Sequence, residues 1–215
     1  MYAPSASFDK KAVSLWRENK TIRMTQKEIA EDIQRAVEVM RRGGLILYPT
    51  DTVWGIGCDA TNADAVRRIF QLKQRDDSKA MICLVDSANR MQQYSREIPD
   101  VAWDLIEYAE RPLTLIIDGA LNLAPNLIAA DGSIAIRVTR ERISKELCYR
   151  FQRAVVSTSA NLSGQPAPRN YMEITPEILA GVDYVMKARQ NDVTKGKPSQ
   201  IVKITKDGQI TFIRK

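Results

Sequence analysis

Histidine is absent from this 215-residue chain, and its absence excludes several common kinds of active site. Ser-His-Asp and Cys-His catalytic sets, histidine-ligated metal centres and histidine proton shuttles all require the imidazole ring. Any catalysis must therefore rest on hydroxyl, amide, carboxylate and cationic side chains.

Cysteine and long apolar runs are also scarce. The three cysteines, Cys58, Cys83 and Cys148, stand 25 and 65 residues apart, and this spacing matches neither a disulfide framework nor a zinc site. The N-terminus lacks the apolar core of a signal peptide, and no segment approaches the roughly 20 apolar residues of a membrane helix. We therefore predict reduced thiols in a soluble, cytoplasmic protein that has no membrane partner.

Composition and length favour one folded domain, since 44% of the residues are hydrophobic and no repeat or low-complexity linker divides the chain. Residues 1–24 show no periodicity, and we interpret them as a leader or arm before a domain of residues 25–215. Residues 187–215 hold eight lysines and arginines against two aspartates, whereas the rest carries 24 charges of each sign. Such a tail can favour a polyanion such as RNA or ATP, although a solvated surface is the commoner explanation.

The periodicity of the apolar residues predicts an α/β fold. The first helix begins at a capping box formed by Thr25 and Glu28 and ends at Gly43-Gly44, and later helices are predicted near residues 62–72, 100–110, 141–151 and 175–180. Strands are predicted at residues 45–48, 80–85, 113–117, 133–138, 154–157, 184–186, 200–204 and 209–213. Because strands alternate with helices and a hairpin closes the chain, we predict a mixed, partly parallel sheet.

The segment Gly55-Ile56-Gly57-Cys58-Asp59-Ala60 matches the G-x-G-x-x-A fingerprint of dinucleotide-binding folds. In those folds the glycines form the first tight turn between a strand and a helix, whereas here residues 49–54 intervene after the strand. We therefore disfavour a dinucleotide site. The sequence also lacks a G-x-x-x-x-G-K-[ST] loop, so a nucleotide must be held in another way.

Two short polar motifs could bind a ligand. In extended backbone, the hydroxyls of Thr50 and Thr52 point to one side and could hold a polar substrate, whereas a turn after Pro49 would instead satisfy them locally. At the end of the second helix, Lys73, Arg75 and nearby Lys79 can converge on phosphates or on a carboxylate. The alternative for these cations is a cap on the helix dipole and a solvated face.

Two features lie on the later strands. Ser157-Thr158-Ser159-Ala160-Asn161 leaves a buried strand, where open α/β sheets place ligand sites, although a local polar turn would also explain it. Arg137 stands in an otherwise apolar or small strand and needs a partner, because an unpaired buried charge is costly. That partner could equally be a structural acid or a ligand anion.

Taken in order, the motifs resemble the YrdC-like family of threonylcarbamoyl-AMP synthases. They are T-D-T-x-x-G-x-G-C, K-x-R, P-L-T, a strand ending in R-V, S-T-S-A-N-x-S-G and P-S, from about Gly43 to the C-terminus. The resemblance implies one twisted, open, mixed α/β sheet with flanking helices and a basic concave cleft. It also implies formation of threonylcarbamoyl-AMP and pyrophosphate from L-threonine, bicarbonate or CO2, and ATP.

The resemblance further implies partners and site residues. Magnesium would be held mainly through the ATP phosphates and water, and downstream transfer proteins would place the threonylcarbamoyl group on tRNA. The threonine site would contain Thr52, Thr114, Arg137 and Ser159. The ATP site would contain Lys73, Arg75, Lys79, Asn161 and Ser199, with Lys73 and Arg75 also catalytic.

Several positions depart from the family pattern and affect the expected shape of the cleft. Glu110-Arg111 replaces a common Pro-Gly, Ala80 a proline, Trp54 a tyrosine, and Gln200 a threonine. Two alternative functions remain at this point. One is an RNA-binding protein of the same fold without catalysis, and the other is a YciO-like relative with a different activity.

Overall fold

The computed structural model describes residues 24–74, 81–194 and 196–215. Its helices are α1 Gln26–Arg41, α2 Ala63–Lys73, α3 Ala88–Met91, α4 Asp100–Tyr108, α5 Arg142–Phe151 and α6 Pro176–Ala180. Its strands are β1 Ile46–Tyr48, β2 Gly55–Gly57, β3 Ile82–Val85, β4 Leu113–Ile117, β5 Ile134–Val138, β6 Val155–Ser159, β7 Tyr184–Val185, β8 Gln200–Ile204 and β9 Ile210–Arg214. Apart from Met24, the predicted leader lies outside the described residues.

Within these ranges the strands form one mixed sheet in the order β7-β1-β2-β6-β3-β5-β4-β8-β9. The pairs β7–β1, β3–β5 and β4–β8 are parallel, and the remaining neighbours are antiparallel. The predicted α/β class and mixed sheet are therefore confirmed. None of the helices in these ranges is long and apolar enough to cross a bilayer.

Strand β2 was not predicted from the sequence, because glycine has a low strand propensity. Its glycines are needed where the ring of Tyr48 crosses the strand: a Cβ on Gly57 would lie 2.7 Å from that ring and 2.9 Å from the Val156 carbonyl oxygen. Gly55 and Gly57 therefore occupy a strand between β1 and β6. The structure thus agrees with the prediction that these glycines do not form a dinucleotide-binding turn.

Helix α1 begins as the sequence predicted. The Thr25 hydroxyl accepts a hydrogen bond from the Glu28 backbone N–H, and the Glu28 carboxylate accepts one from the Thr25 backbone N–H. Its apolar side, including Ile33 and Met40, packs with α5 against one face of the sheet. Helix α2 and the shorter helical segments help to enclose the core on the opposite face.

Helices α1 and α5 cover only part of their face of the sheet. Leu84 and Val155 are register partners on β3 and β6, and both lie in the core beneath these helices. Two residues further along the same strands, Ile82 and Ser157 are also register partners, but they line an open cleft. The candidate site is therefore the part of this face that the two helices leave uncovered.

Candidate active site

The cleft has a volume of about 320 Å³ and a floor of small side chains. Gly55 on β2, Ser157 on the adjacent β6 and Ala135 on β5, which β3 separates from β6, all line it. Small residues on the central strands leave room above the sheet without breaking its hydrogen bonds. The sheet itself is therefore shaped to hold a ligand.

The charge of the cleft is positive. Among its described lining residues, the charged ones are Arg137 on β5 and Arg214 at the end of β9. Arg137 is only 3% exposed. Two guanidinium groups with no acidic residue beside them on the cleft surface favour an anionic ligand, since desolvated cations are stabilised by a partner of opposite charge.

Asp51 is the acidic partner of Arg137, with 3.2 Å between its Oδ1 and Arg137 Nη2. Burial raises the pKa of the Asp51 carboxyl, and the charge of Arg137 opposes that shift. Asp51 Oδ1 and Arg137 Nε are both buried without a hydrogen-bond partner among the described residues. The structure thus provides a structural acid as a partner for Arg137, one of the two kinds of partner expected from the sequence. This ion pair does not satisfy all the donors of the guanidinium.

Arg214 was not selected from the sequence, where it was one of the cations in the basic tail. Its Nε donates to the Ser199 carbonyl oxygen at 2.8 Å, and its Nη2 lies 3.2 Å from Ser199 Oγ. Burial lowers the pKa of Arg214, and the nearby charge of Arg137 lowers it further. The register of the closing hairpin, which sets Arg214 opposite Ile201, was the signal that could have placed it near the P-S motif.

Ser199 and Thr114 form a second buried polar contact, with 2.8 Å between their hydroxyl oxygens. Ser199 lines the cleft, and its expected contact with ATP stays a prediction. Thr114 is completely buried and lies behind Ser199 rather than on the cleft surface. Thr114 is therefore not among the described residues that line the cleft, and its role in threonine binding stays a prediction.

The Thr50-Asp51-Thr52 segment forms the local turn that was the alternative to a binding motif. Thr50 Oγ1 donates to the Val53 carbonyl oxygen at 2.7 Å and accepts from the Thr52 backbone N–H at 3.1 Å. Thr52 Oγ1 lies 2.9 Å from Thr50 Oγ1 and also borders the cleft. Because the single Thr50 hydroxyl hydrogen goes to Val53, Thr52 donates to Thr50 and keeps its lone pairs for a ligand donor.

Lys73 ends α2 and is 2% exposed, so it is not a solvated surface cation. Its Nζ donates to the Ser159 carbonyl oxygen at 2.5 Å and to the Asn161 carbonyl oxygen at 2.6 Å. The ammonium group therefore holds the loop that leaves β6. Contact between Lys73 and phosphate stays a prediction, and Arg75, Lys79 and Ala80 lie outside the described residues.

The loop that Lys73 holds carries two further candidate residues. Ser159 is the register partner of Gly55 and lines the cleft. Asn161 donates through Nδ2 to the carbonyl oxygens of Leu162 and Gln165, while its buried Oδ1 has no described hydrogen-bond partner. Ser159 therefore lies beside the cleft, where its contact with threonine stays a prediction, whereas Asn161 mainly closes the loop in this structure.

A second cavity of about 370 Å³ shares Thr52 and Val53 with the cleft. Arg169, Arg189 and Lys197 line it together with Asp51, Glu141 and Asp192, so its charges are balanced. The backbone of Gly196 lies directly on the Thr52 carbonyl, because a Cβ at Gly196 would come within 1.8 Å of that oxygen. The segment leading to Ser199 thus packs tightly over the Thr52 turn.

Comparison with known proteins agrees with the fold and the order of motifs. The family model Sua5_yciO_yrdC, described as "Telomere recombination", matches residues 38–215. A threonylcarbamoyl-AMP synthase of Hahella chejuensis is 35% identical over 170 residues, which are 79% of this chain and 91% of that protein. One from Pseudoalteromonas translucida is 34% identical over 71% of this chain and 83% of that protein.

Solved structures show the same fold. Escherichia coli YciO gives a TM-score of 0.74 at 25% identity, over 85% of this chain and 88% of that chain. P. abyssi Sua5 in complex with L-threonine gives a TM-score of 0.72 at 24% identity, over 80% of this chain and 50% of that chain, so the present chain spans about half its length. From the family match and the identity to the synthases, this chain belongs to the Sua5/YciO/YrdC family.

Proposed function

We propose that this protein is a threonylcarbamoyl-AMP synthase, which forms threonylcarbamoyl-AMP and pyrophosphate from L-threonine, bicarbonate and ATP. The observation that carries the proposal is a cleft lined by two arginines and by hydroxyl groups, with no acidic residue among its described lining. Such a surface suits substrates that bring a carboxylate and a polyphosphate. The relatives named as synthases at 34–35% identity support the same activity.

At the threonine end, Arg137 is proposed to bind the substrate carboxylate. A guanidinium can hold a carboxylate through two parallel hydrogen bonds, and the single 3.2 Å ion pair with Asp51 leaves donors for this contact. The Thr52 lone pairs would accept a hydrogen bond from the threonine amine or hydroxyl. Ser159, on the same wall of the cleft, would complete the polar contacts.

At the nucleotide end, Arg214 and Ser199 are proposed to join Lys73, Arg75, Lys79 and Asn161 around ATP. Arg214 and Ser199 are held to each other by hydrogen bonds, so their donors are fixed before a ligand arrives. Lys73 adds a buried positive charge beneath the loop of Ser159 and Asn161. Positive groups on both sides of the reacting phosphate would stabilise the charge of the transition state.

The proposed reaction needs no histidine. The threonine amine attacks CO2 with loss of a proton, or bicarbonate with loss of water, to form a carbamate. A carbamate oxygen then attacks the α-phosphate of ATP with loss of pyrophosphate. The chain contributes chiefly by fixing the two substrates in contact and by neutralising charge. Magnesium would be held by the ATP phosphates and by water, and it would neutralise part of the phosphate charge. The side chains are not expected to hold the ion, because no group of three acidic or cysteine side chains in the described ranges could do so.

In the cell, we propose that the product passes to proteins that transfer the threonylcarbamoyl group to tRNA in the cytoplasm. A mixed anhydride of a carbamate and a phosphate is reactive towards water, so rapid transfer to a partner protein would limit its loss. The basic segment 187–215 would help to bring tRNA or such a partner close.

Activity should require threonine and bicarbonate together, because the carbamate must form before the adenylyl group can be transferred. Purified protein with ATP, magnesium and both substrates should give threonylcarbamoyl-AMP by mass spectrometry and an equal amount of pyrophosphate. Omitting either substrate should stop both signals. Arg153→Ala, which removes a 57% exposed side chain ion-paired with Asp59, is a matched arginine control that should retain activity.

Equal pyrophosphate release without bicarbonate would instead indicate a simple amino-acid adenylase. The fold match to E. coli YciO, over 85% of this chain and 88% of that chain, keeps a related protein with a different activity as the second candidate. Absence of any threonine-dependent product would favour that candidate. RNA binding that weakens steeply with salt, without pyrophosphate release, would favour a binding protein.

A further inference from the structure

The buried contact between Asp51 and Arg137 is unusual for a purely structural ion pair. Both side chains are almost inaccessible, at 10% and 3% exposure, and the closest approach between Asp51 Oδ1 and Arg137 Nη2 is 3.2 Å. Buried arginine–carboxylate pairs stabilise a fold best when they form two parallel hydrogen bonds that satisfy the donors. Here Asp51 Oδ1 and Arg137 Nε both lack a hydrogen-bond partner within the described part of the chain.

The positions of Asp51 and Arg137 relative to the two cavities indicate where a ligand could contact the guanidinium. Arg137 lines the main cleft, whereas Asp51 does not and instead borders the second cavity. Asp51 therefore contacts the guanidinium without lining the cleft itself. A carboxylate in the cleft can meet the same guanidinium where it lines the cleft, so Asp51 and the ligand need not compete for one position.

The surrounding charges give Asp51 a second reason to be present. Arg214 also lines the cleft, and the charge of Arg137 acts on it strongly enough to lower its pKa. Two neighbouring guanidinium groups repel, and Arg137 would move away from Arg214 if nothing held it. Asp51 offsets one of the two charges and draws Arg137 towards the Thr50–Thr52 turn, which leaves a net positive site suited to one carboxylate.

We propose that Asp51 is a positioning residue, which holds the Arg137 guanidinium in the orientation that binds the threonine carboxylate. This inference rests on the proposed function, because it needs Arg137 to receive threonine. It differs from a simple electrostatic role in the direction of its effect. Removing a negative charge beside a carboxylate site should strengthen threonine binding by charge alone, whereas loss of positioning should weaken it.

The test is threonine binding by Asp51→Asn, which keeps the shape of the side chain and removes its charge. Calorimetric titration should show a Kd for threonine raised about tenfold, as expected when a guanidinium loses its fixed orientation. In turnover assays the KM for threonine should rise while the KM for ATP and the kcat at saturating threonine stay near the parental values. Asp59→Asn is the matched control, because Asp59 is a buried acid ion-paired with Arg153 away from the cleft.

A double-mutant cycle shows whether Asp51 acts through Arg137. In an Arg137→Met background, Asp51→Asn should cause no further loss of threonine affinity. If Asp51→Asn does not fold, Asp51→Glu keeps the charge but displaces the carboxylate, and it should still raise the threonine Kd. Unchanged or tighter threonine binding by whichever of these variants folds would overturn the inference, as would an equal loss with Met at position 137.

Failure of this inference can be told apart from failure of the proposed function. If the parental protein makes threonylcarbamoyl-AMP and binds threonine, but the Asp51 variants bind it equally well, only the positioning role is wrong. If the parental protein neither binds threonine nor forms the product, both the proposed function and the role of Asp51 are overturned.

Discussion

At the scale of single residues, Arg137 links the fold to the proposed chemistry. It was the one charged residue in a predicted buried strand, and the structure gives it an acidic partner, Asp51, while leaving Nε without a hydrogen bond. A residue that only balanced Asp51 could be any cation of suitable length. A residue that binds a carboxylate through two parallel hydrogen bonds must be arginine, because lysine cannot form that pair.

Arg137→Lys separates these two roles. The lysine keeps the charge beside Asp51, so the melting temperature should stay close to the parental value. Threonine binding should weaken by about 1.5–3 kcal/mol, the usual worth of a hydrogen bond to a charged group. Calorimetric titration beside a thermal melt measures both quantities, and unchanged affinity with a lower melting temperature would rule out the receptor role.

Lys73 shows that a sequence motif does not determine which groups its side chain contacts. The K-x-R motif predicted a cation near phosphate, but in this structure the ammonium donates to the backbone carbonyls of Ser159 and Asn161. Lys73 is 86 positions from Ser159 and 88 positions from Asn161 in the sequence. No local pattern could have indicated that contact, because it depends on where α2 and the end of β6 meet.

At the scale of secondary-structure elements, β2 has the most demanding packing. The Tyr48 ring lies over this strand, and a Cβ on Gly57 would approach it to 2.7 Å, whereas the nearest approach at Gly55 is 3.3 Å. A Cβ on Gly57 would also lie 2.9 Å from the Val156 carbonyl oxygen, whereas one on Gly55 would lie 3.5 Å from the Thr158 carbonyl oxygen. Backbone atoms in a sheet cannot move aside as a flexible side chain can.

We therefore expect Gly57→Ala to destabilise the protein by about 1–3 kcal/mol, the usual cost of overpacking a core. Gly55→Ala should cost clearly less and serves as the matched control in the same strand. Urea unfolding of the two variants measures the difference in free energy of unfolding. Equal stability of both variants would show that the sheet relaxes around the added methyl group.

Most other elements follow from local sequence signals, although the four-residue helix α3 (Ala88–Met91) was not predicted. The capping box at Thr25, the Asn62 side chain at the start of α2 and the apolar runs of the central strands each have a local physical cause, and the structure places elements there. Strand β2 was missed because its signal is a long-range steric need for glycine. The two-residue strand β7 was predicted because Tyr184, Val185 and Met186 form a short apolar run.

At the scale of the whole molecule, the lack of histidine affects the dependence of stability on pH. Hydrogen bonds, the largest effect coming from Ser133 and the next from Lys203, lower the pKa of Asp131 from 3.8 to about 2. Hydrogen bonds from Thr194 and then Arg189 do the same for Asp192. A carboxyl whose pKa is lower in the folded state stabilises the fold above its unfolded pKa, and this stabilisation is lost as pH falls towards 2.

The free energy of unfolding should therefore change little between about pH 6 and 8, where histidine usually titrates, and fall below about pH 4. Asp51 opposes part of this trend, because burial raises its pKa. Asp131→Asn should flatten the fall below pH 4, whereas Asp104→Asn on the exposed face of α4 should leave it unchanged. Thermal melts across the pH range test this, and an unaltered acid profile in the Asp131 variant would contradict it.

The sequence by itself determined the α/β class, most element positions, the exclusion of histidine-based chemistry and the order of motifs that indicates the family. The class, the element positions and the exclusion depend on composition and local periodicity, and the resemblance to the family depends on the identity and order of the motif residues. It also placed Arg137 correctly in a buried strand, because an isolated charge among apolar residues is visible without a structure.

Only the tertiary structure decided which polar groups meet. It joined Arg214 to Ser199, placed Thr114 behind that serine, and brought Asp51 to Arg137 across 86 positions of sequence. It also decided where the cleft lies, because α1 and α5 cover only part of one sheet face. Strand order and helix coverage arise from contacts between distant segments, so neither the cleft nor its charge pairs can be determined from local sequence alone.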